Sequence, residues 1–121
     1  MTEKQSFTKY ENECLPGFRQ RINKAESVDD VRRVFAYTTR ILVEKIFSGE
    51  VKLREDDVAL DPSEKSGFSF SDRLFSSKGF QSAWTNSDLP RMVGRFAETA
   101  SRRIKHLEKH PEKTDAKIRT G

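Results

Sequence analysis

The stretch Ser27–Gly49, SVDDVRRVFAYTTRILVEKIFSG, decides how the chain is read. Ser27, followed three residues later by Asp30, resembles a capping box with aspartate in the usual glutamate position, and an apolar pattern begins at once. Val28, Val31, Phe35, Leu42 and Ile46 fall in one narrow sector at about 100° per residue, and Val34, Ala36, Val43 and Phe47 widen it on both sides. A helix apolar over so much of its girth belongs at the centre of a fold. Gly49 is placed to end it, because glycine accepts the left-handed conformation that helix termini favour.

Two further amphipathic stripes flank this helix. Between Ser6 and Ala25, Phe7, Tyr10, Cys14, Phe18 and Ile22 recur at intervals of three or four. Pro16 and Gly17 interrupt the stripe, so a kink near Cys14 or two shorter helices are expected. The other stripe runs from Ser87 to about Lys109 through Leu89, Val93, Phe96, Ala100, Ile104 and Leu107. Ser87 suits its N-cap, Asp88 the positive end of its dipole, and Pro90 its first turn.

Composition agrees with long solvated helices around a thin core. The 121 residues fit one domain, 34% of them are apolar, and charged residues reach 35%, above the usual quarter. The expected fold class is all-α: a small helical bundle of three long helices with short aromatic-rich helical turns packed across them. Residues 1–110 form the expected single domain, and 111–121, with almost nothing to bury, read as a disordered C-terminal tail. Residues 48–67 break the helical pattern. Val51 and Leu53, then Val58 and Leu60, alternate with polar residues around Glu55–Asp57 as in a hairpin, but the turn lacks Asn-Gly or Asp-Gly, so a mostly irregular loop is expected.

Between that segment and the last helix lies GFSFSDRLFSSKGFQSAW, residues 67–84, which gathers Phe68, Phe70, Phe75, Phe80 and Trp84. Ser71 can cap a helical turn carrying Leu74 and Phe75, and Phe80 and Trp84 share one face of a second turn after Gly79. Leaving five aromatic side chains in water forfeits several kcal/mol at about 25 cal/mol per Å², so core packing is the expected role. The alternative is a partner-binding patch. A base-stacking platform has less behind it, since Arg73 and Lys78 are too few to track a phosphate backbone.

Little points to catalysis. Cys14 has no activating histidine beside it and reads as a small buried hydrophobe; one cysteine fits a reducing compartment. His106 and His110 stand at i and i+4, but Leu107 occupies the place where the metalloprotease pattern has glutamate, and no third ligand is specified. Glu55, Asp56, Asp57 and Asp61 lack the glycine and terminal glutamate of a calcium loop and read as a solvated loop. No phosphate-cradling glycine pattern occurs. No cofactor is expected, and no enzyme activity, save an unspecified one assembled at an oligomer interface.

One polar feature is organised. Arg91, Arg95, Arg102, Lys105 and Lys109 share a sector opposite the last apolar stripe, with Glu98 among them. From Arg91 onward the chain has nine lysines and arginines against four acids, whereas residues 1–60 balance at eleven each, so the net charge of +4 is gathered C-terminally. Such a stripe can contact phosphates without reading sequence; its plainer role is an ordinary charged surface. MTEKQSFTKY has no signal-like apolar core, and no window approaches the 18 or so apolar residues of a membrane span. The expected function is a non-enzymatic cytoplasmic interaction or regulatory module, acting on a protein partner or by self-association and without membrane contact. Sequence-nonspecific nucleic-acid binding through the basic face of the last helix is the alternative.

Overall fold

A computed structural model describes residues 6–49, 51–54, 56–61 and 63–109; the expected tail at 111–121, His110 and Glu55 lie outside them. The order is α1 (Thr8–Lys24), α2 (Val28–Ile46), β1 (Val58–Leu60), β2 (Phe68–Phe70), α3 (Asp72–Phe75), α4 (Lys78–Asn86) and α5 (Leu89–Lys109). Helix makes up 69% of the described residues and strand 7%, which places the chain in a small all-α class.

Helix α2 is central, as its apolar girth requires. It packs on α1, α5 and β1, and Val31, Phe35, Leu42 and Val43 are fully buried. The Ser27 hydroxyl accepts from Asp30 N–H at 3.0 Å, while the Asp30 carboxylate reaches back to Glu26 N–H at 3.4 Å. The cap therefore forms, with its return bond one residue earlier than in the standard box. After Ile46 the chain leaves the helix through Ser48 (φ 51°) and Gly49 (φ 82°), and Gly49 N–H donates to Glu44 O at 3.0 Å. Phe18 of α1 meets Phe96 of α5 with ring centroids 4.7 Å apart, closing the core between those helices.

The structure refines three expectations. Helix α1 continues through Pro16 and is not split in two. Pro16 and Asn12, whose carbonyl loses its usual i+4 donor, are both exposed, so water can satisfy that carbonyl. Residues 48–67 are mostly irregular, as expected, with only Val58–Leu60 in a strand, and no hairpin joins Val51–Leu53 to Val58–Leu60. Instead β1 pairs antiparallel with β2, Val58 opposite Phe70 and Leu60 opposite Phe68, across a seven-residue connection. That turn needs Gly67 at φ 86°, and Asp61 N–H donates to Gly67 O at 2.8 Å. Finally, Ser87 ends α4 as much as it starts α5: its hydroxyl donates to Ala83 O and accepts from Leu89 N–H.

Candidate interaction groove

The aromatic cluster forms, and it faces inward. Phe70 lies at its centre, with ring centroids 5.4 Å from Phe68, 5.5 Å from Phe75, 5.3 Å from Phe80 and 5.0 Å from Trp84. Phe68 and Phe80 are buried; Phe70, Phe75 and Trp84 are half-buried against the core. The β1–β2 ribbon supplies two of the rings, α3 one and α4 two, so a short strand pair and two short helices close the open side of the long helices. Ser71 and Ser77 cap those helices through Leu74 N–H and Phe80 N–H.

Beneath the cluster sits a polar clip that the acidic run concealed. Asp57 is a buried carboxylate rather than part of a solvated loop. It accepts from Arg54 N–H at 2.6 Å, from the Ser71 hydroxyl, and from the Arg73 guanidinium, tying the approach to β1 to the cap of α3. Burial works to raise its pKa; the hydrogen bonds from Arg73, Ser71 and Arg54 outweigh it and hold the carboxyl below the ordinary value.

The basic stripe of α5 is largely answered by acids. Arg91 lies 3.4 Å from Asp88, Arg95 lies 3.4 Å from the buried carboxylate of Glu11 on α1, and Arg102 pairs with Glu98. Lys105 and Lys109 are exposed and make no ion pair among the described residues. Five cations against Asp88, Glu11 and Glu98 leave two in excess. The recess beside this stripe, between α1 and α5, has a volume of about 200 Å³ and two acids, Glu11 and Glu98, in its wall.

A larger concavity lies where no site residue was expected, between α2 and β1. Its volume is about 460 Å³. From α2 come Arg32, Arg33, Ala36, Tyr37 and Arg40; from β1 come Val58, Ala59 and Leu60. At about 100° per residue the five α2 positions span roughly 140°, one face of the helix. Tyr37, at 43%, is the one exposed large hydrophobic side chain among the described residues. The Arg21 guanidinium stands 5.0 Å from its ring centroid and that of Arg40 6.0 Å away, within cation–π reach. At the Arg32 end, hydrogen bonds from Ser63 hold the Asp61 carboxyl below its ordinary pKa, and the charge of Arg32 adds the smallest share. Among the described residues no acid lines the groove itself. The row Arg32, Arg33, Tyr37, Arg40 was visible in the sequence as a polar face, but nothing there announced an apolar strand beside it.

The remaining candidates carry no assembled chemistry. Cys14 is half-buried, and burial pushes its thiol pKa up, with Lys45 opposing. Among the described residues no three His, Cys, Asp or Glu side chains gather as a metal-binding set; His106 is exposed on α5. No described helix is long and apolar enough to cross a membrane. Comparison of the chain with protein-family models, curated proteins and solved structures finds no match.

Proposed function

We propose that this protein is a non-enzymatic, cytoplasmic interaction or regulatory module that holds a protein partner in the α2–β1 groove. In this reading α1, α2 and α5 form a three-helix scaffold, and the aromatic turns seal its open side. The observation that carries it is Tyr37, exposed at the lip of an apolar concavity and flanked by arginines. Tyrosine and arginine dominate binding hot spots, because each offers a large, stiff contact surface with a polar end. Nucleic-acid binding along α5 has less support, since three of its five cations already face acids.

The test is affinity purification with the wild-type chain and with Tyr37→Ala/Arg33→Glu, whose substituted side chains are exposed and should leave the fold intact. A protein retained at fixed stoichiometry by the wild type and lost by the variant, with unchanged melting temperature, is the expected result. Equal retention by both, or co-elution of nucleic acid alone, overturns the reading.

A further inference from the structure

Resting on the α2–β1 groove as the partner's seat, we infer that Tyr37 and the arginines around it receive a phosphorylated side chain of that partner. Two guanidiniums from different helices carry this. Arg21 of α1 stands 5.0 Å and Arg40 of α2 6.0 Å from the centroid of the Tyr37 ring, so the two cationic carbons are apart by at most the sum of those distances, 11.0 Å. Among the described residues neither guanidinium joins an ion pair or donates a side-chain hydrogen bond. No described lining residue of the groove is an acid. In the recess on the other side of Tyr37, between α1 and α2, the one acid among the described lining residues is Glu13, and Lys45 already holds it at 3.2 Å.

Arg21 is also given a place to lie. It follows Gly17 by one helical turn, and helical side chains lean toward the N-terminus, so it folds back across the glycine. A Cβ at Gly17 would stand 3.6 Å from Arg21 Nη1, the one neighbour within 4 Å among the described residues. That is ordinary contact, but any longer side chain would need the space the guanidinium fills. Gly17 is not left-handed, so its backbone does not call for glycine, and glycine weakens a helix interior relative to alanine. A guanidinium stacked on an aromatic ring keeps its N–H groups in its own plane, free for an acceptor at its edge.

The chemistry of that acceptor follows from the charge it must answer. Arg21 and Arg40, with Arg33 one turn from Tyr37 on the other side, call for more than one negative charge at one place. A carboxylate brings one. A phosphate monoester brings about −1.5 to −2 at pH 7 and three acceptor oxygens suited to guanidinium forks. Residues flanking the phosphorylated one then rest on Ala36, the exposed Ala59 and the arginine stems, with no demand on the buried main chain of β1. Nucleic acid fits less well, since each phosphodiester carries a single charge and a strand needs a track of cations.

The experiment measures fluorescence anisotropy of nine-residue Gly/Ala peptides with a central phosphotyrosine or phosphoserine, titrated with the full chain. Peptides with Tyr, Ser or Glu at the centre and oligo-dT serve as comparisons. A phosphopeptide binds about tenfold tighter than its unphosphorylated and glutamate forms, and Arg21→Gln and Arg40→Gln each remove about tenfold without moving the melting temperature. Gly17→Leu weakens the phosphopeptide by a similar factor while the melting temperature holds or rises, because leucine suits a helix interior better than glycine. An Arg21 that served the fold alone would not give that combination. Equal affinity for phosphorylated and unphosphorylated peptides, or no binding by any phosphopeptide, overturns the inference. Preference for oligo-dT, lost with the same substitutions, overturns it in favour of nucleic acid. A protein partner retained by the wild type and lost by Tyr37→Ala/Arg33→Glu should be released by phosphatase; if it stays bound, the groove remains the binding site and the phosphate has no part in it.

Discussion

Helices α5 and α2 each carry a row of arginines, and the fold treats the two rows differently. On α5 the cations meet acids drawn from three places: Asp88 before the helix, Glu98 within it and Glu11 across on α1. On α2, Arg33 and Arg40 border an apolar groove with no acid among its described lining residues. Counting charges along the sequence ranks α5 first. Placing them in space reverses the order, because charge available to a partner is what remains after neighbours from other elements have answered it. The acids of α5 also hold the fold together, since Asp88 accepts from Phe7 N–H at 2.9 Å and from Ser6 at 3.0 Å, fastening the entry of α1 to that of α5.

That difference predicts a ranked series of effects on stability. Acid has the largest. Burial works to raise the pKa of both Asp57 and Asp88, but their hydrogen bonds prevail and leave both below the ordinary value. A carboxyl depressed on folding contributes stability that is complete above its unfolded pKa, about 3.9, and is lost as pH falls through the folded value. The melting temperature is therefore flat above about pH 5 and falls steeply below about pH 4, and Asp88→Ala makes that fall shallower. A melting temperature independent of pH down to 2 would remove the structural role assigned to these acids.

Next comes Asp88→Ala at neutral pH. Loss of the acceptor for Phe7 N–H, Ser6 and Arg91 costs about 1–3 kcal/mol and lowers the melting temperature by roughly 4–10 °C by circular dichroism. Arg95→Met ranks third, at about 1 kcal/mol: Glu11 is only 4% exposed and loses its cation, although Arg95 itself is mostly in solvent and the pair is screened. The smallest effects separate the two faces most sharply. Arg102→Met, breaking a pair exposed on both sides, and Arg33→Met, breaking none among the described residues, each change stability by less than about 0.5 kcal/mol. Only Arg33→Met weakens retention of the protein partner. If Arg33→Met destabilised the chain as much as Arg95→Met, Arg33 would be a structural residue and the contrast between the faces would vanish.

The parts legible in the sequence are those governed by local periodicity. The stripes of α1, α2 and α5, the Ser27 cap and the Ser71 turn carrying Leu74 and Phe75 follow from spacings of three and four and from side chains that reach the next turn of their own helix. The partner of β1 is not legible in the sequence, because Val51–Leu53 and Phe68–Phe70 both alternate opposite Val58–Leu60. The choice between them rests on Gly67 and on rings that bury only when Phe68 and Phe70 join the cluster. Asp57 was indistinguishable from its acidic neighbours until Arg73, sixteen residues away, came within reach.

The sequence by itself determined that the chain is mostly helical, where three amphipathic helices run, and which of their faces turn inward, because burial periodicity is written at helical spacing. Tertiary structure alone decided which strand pairs with β1, which acids become buried partners, and which row of arginines keeps its charge for others. These outcomes depend on contacts between residues far apart in the chain: Glu11 with Arg95, Phe7 with Asp88, and α2 with β1. No local pattern encodes them, since a charged side chain looks the same in sequence whether or not a distant element has neutralised it.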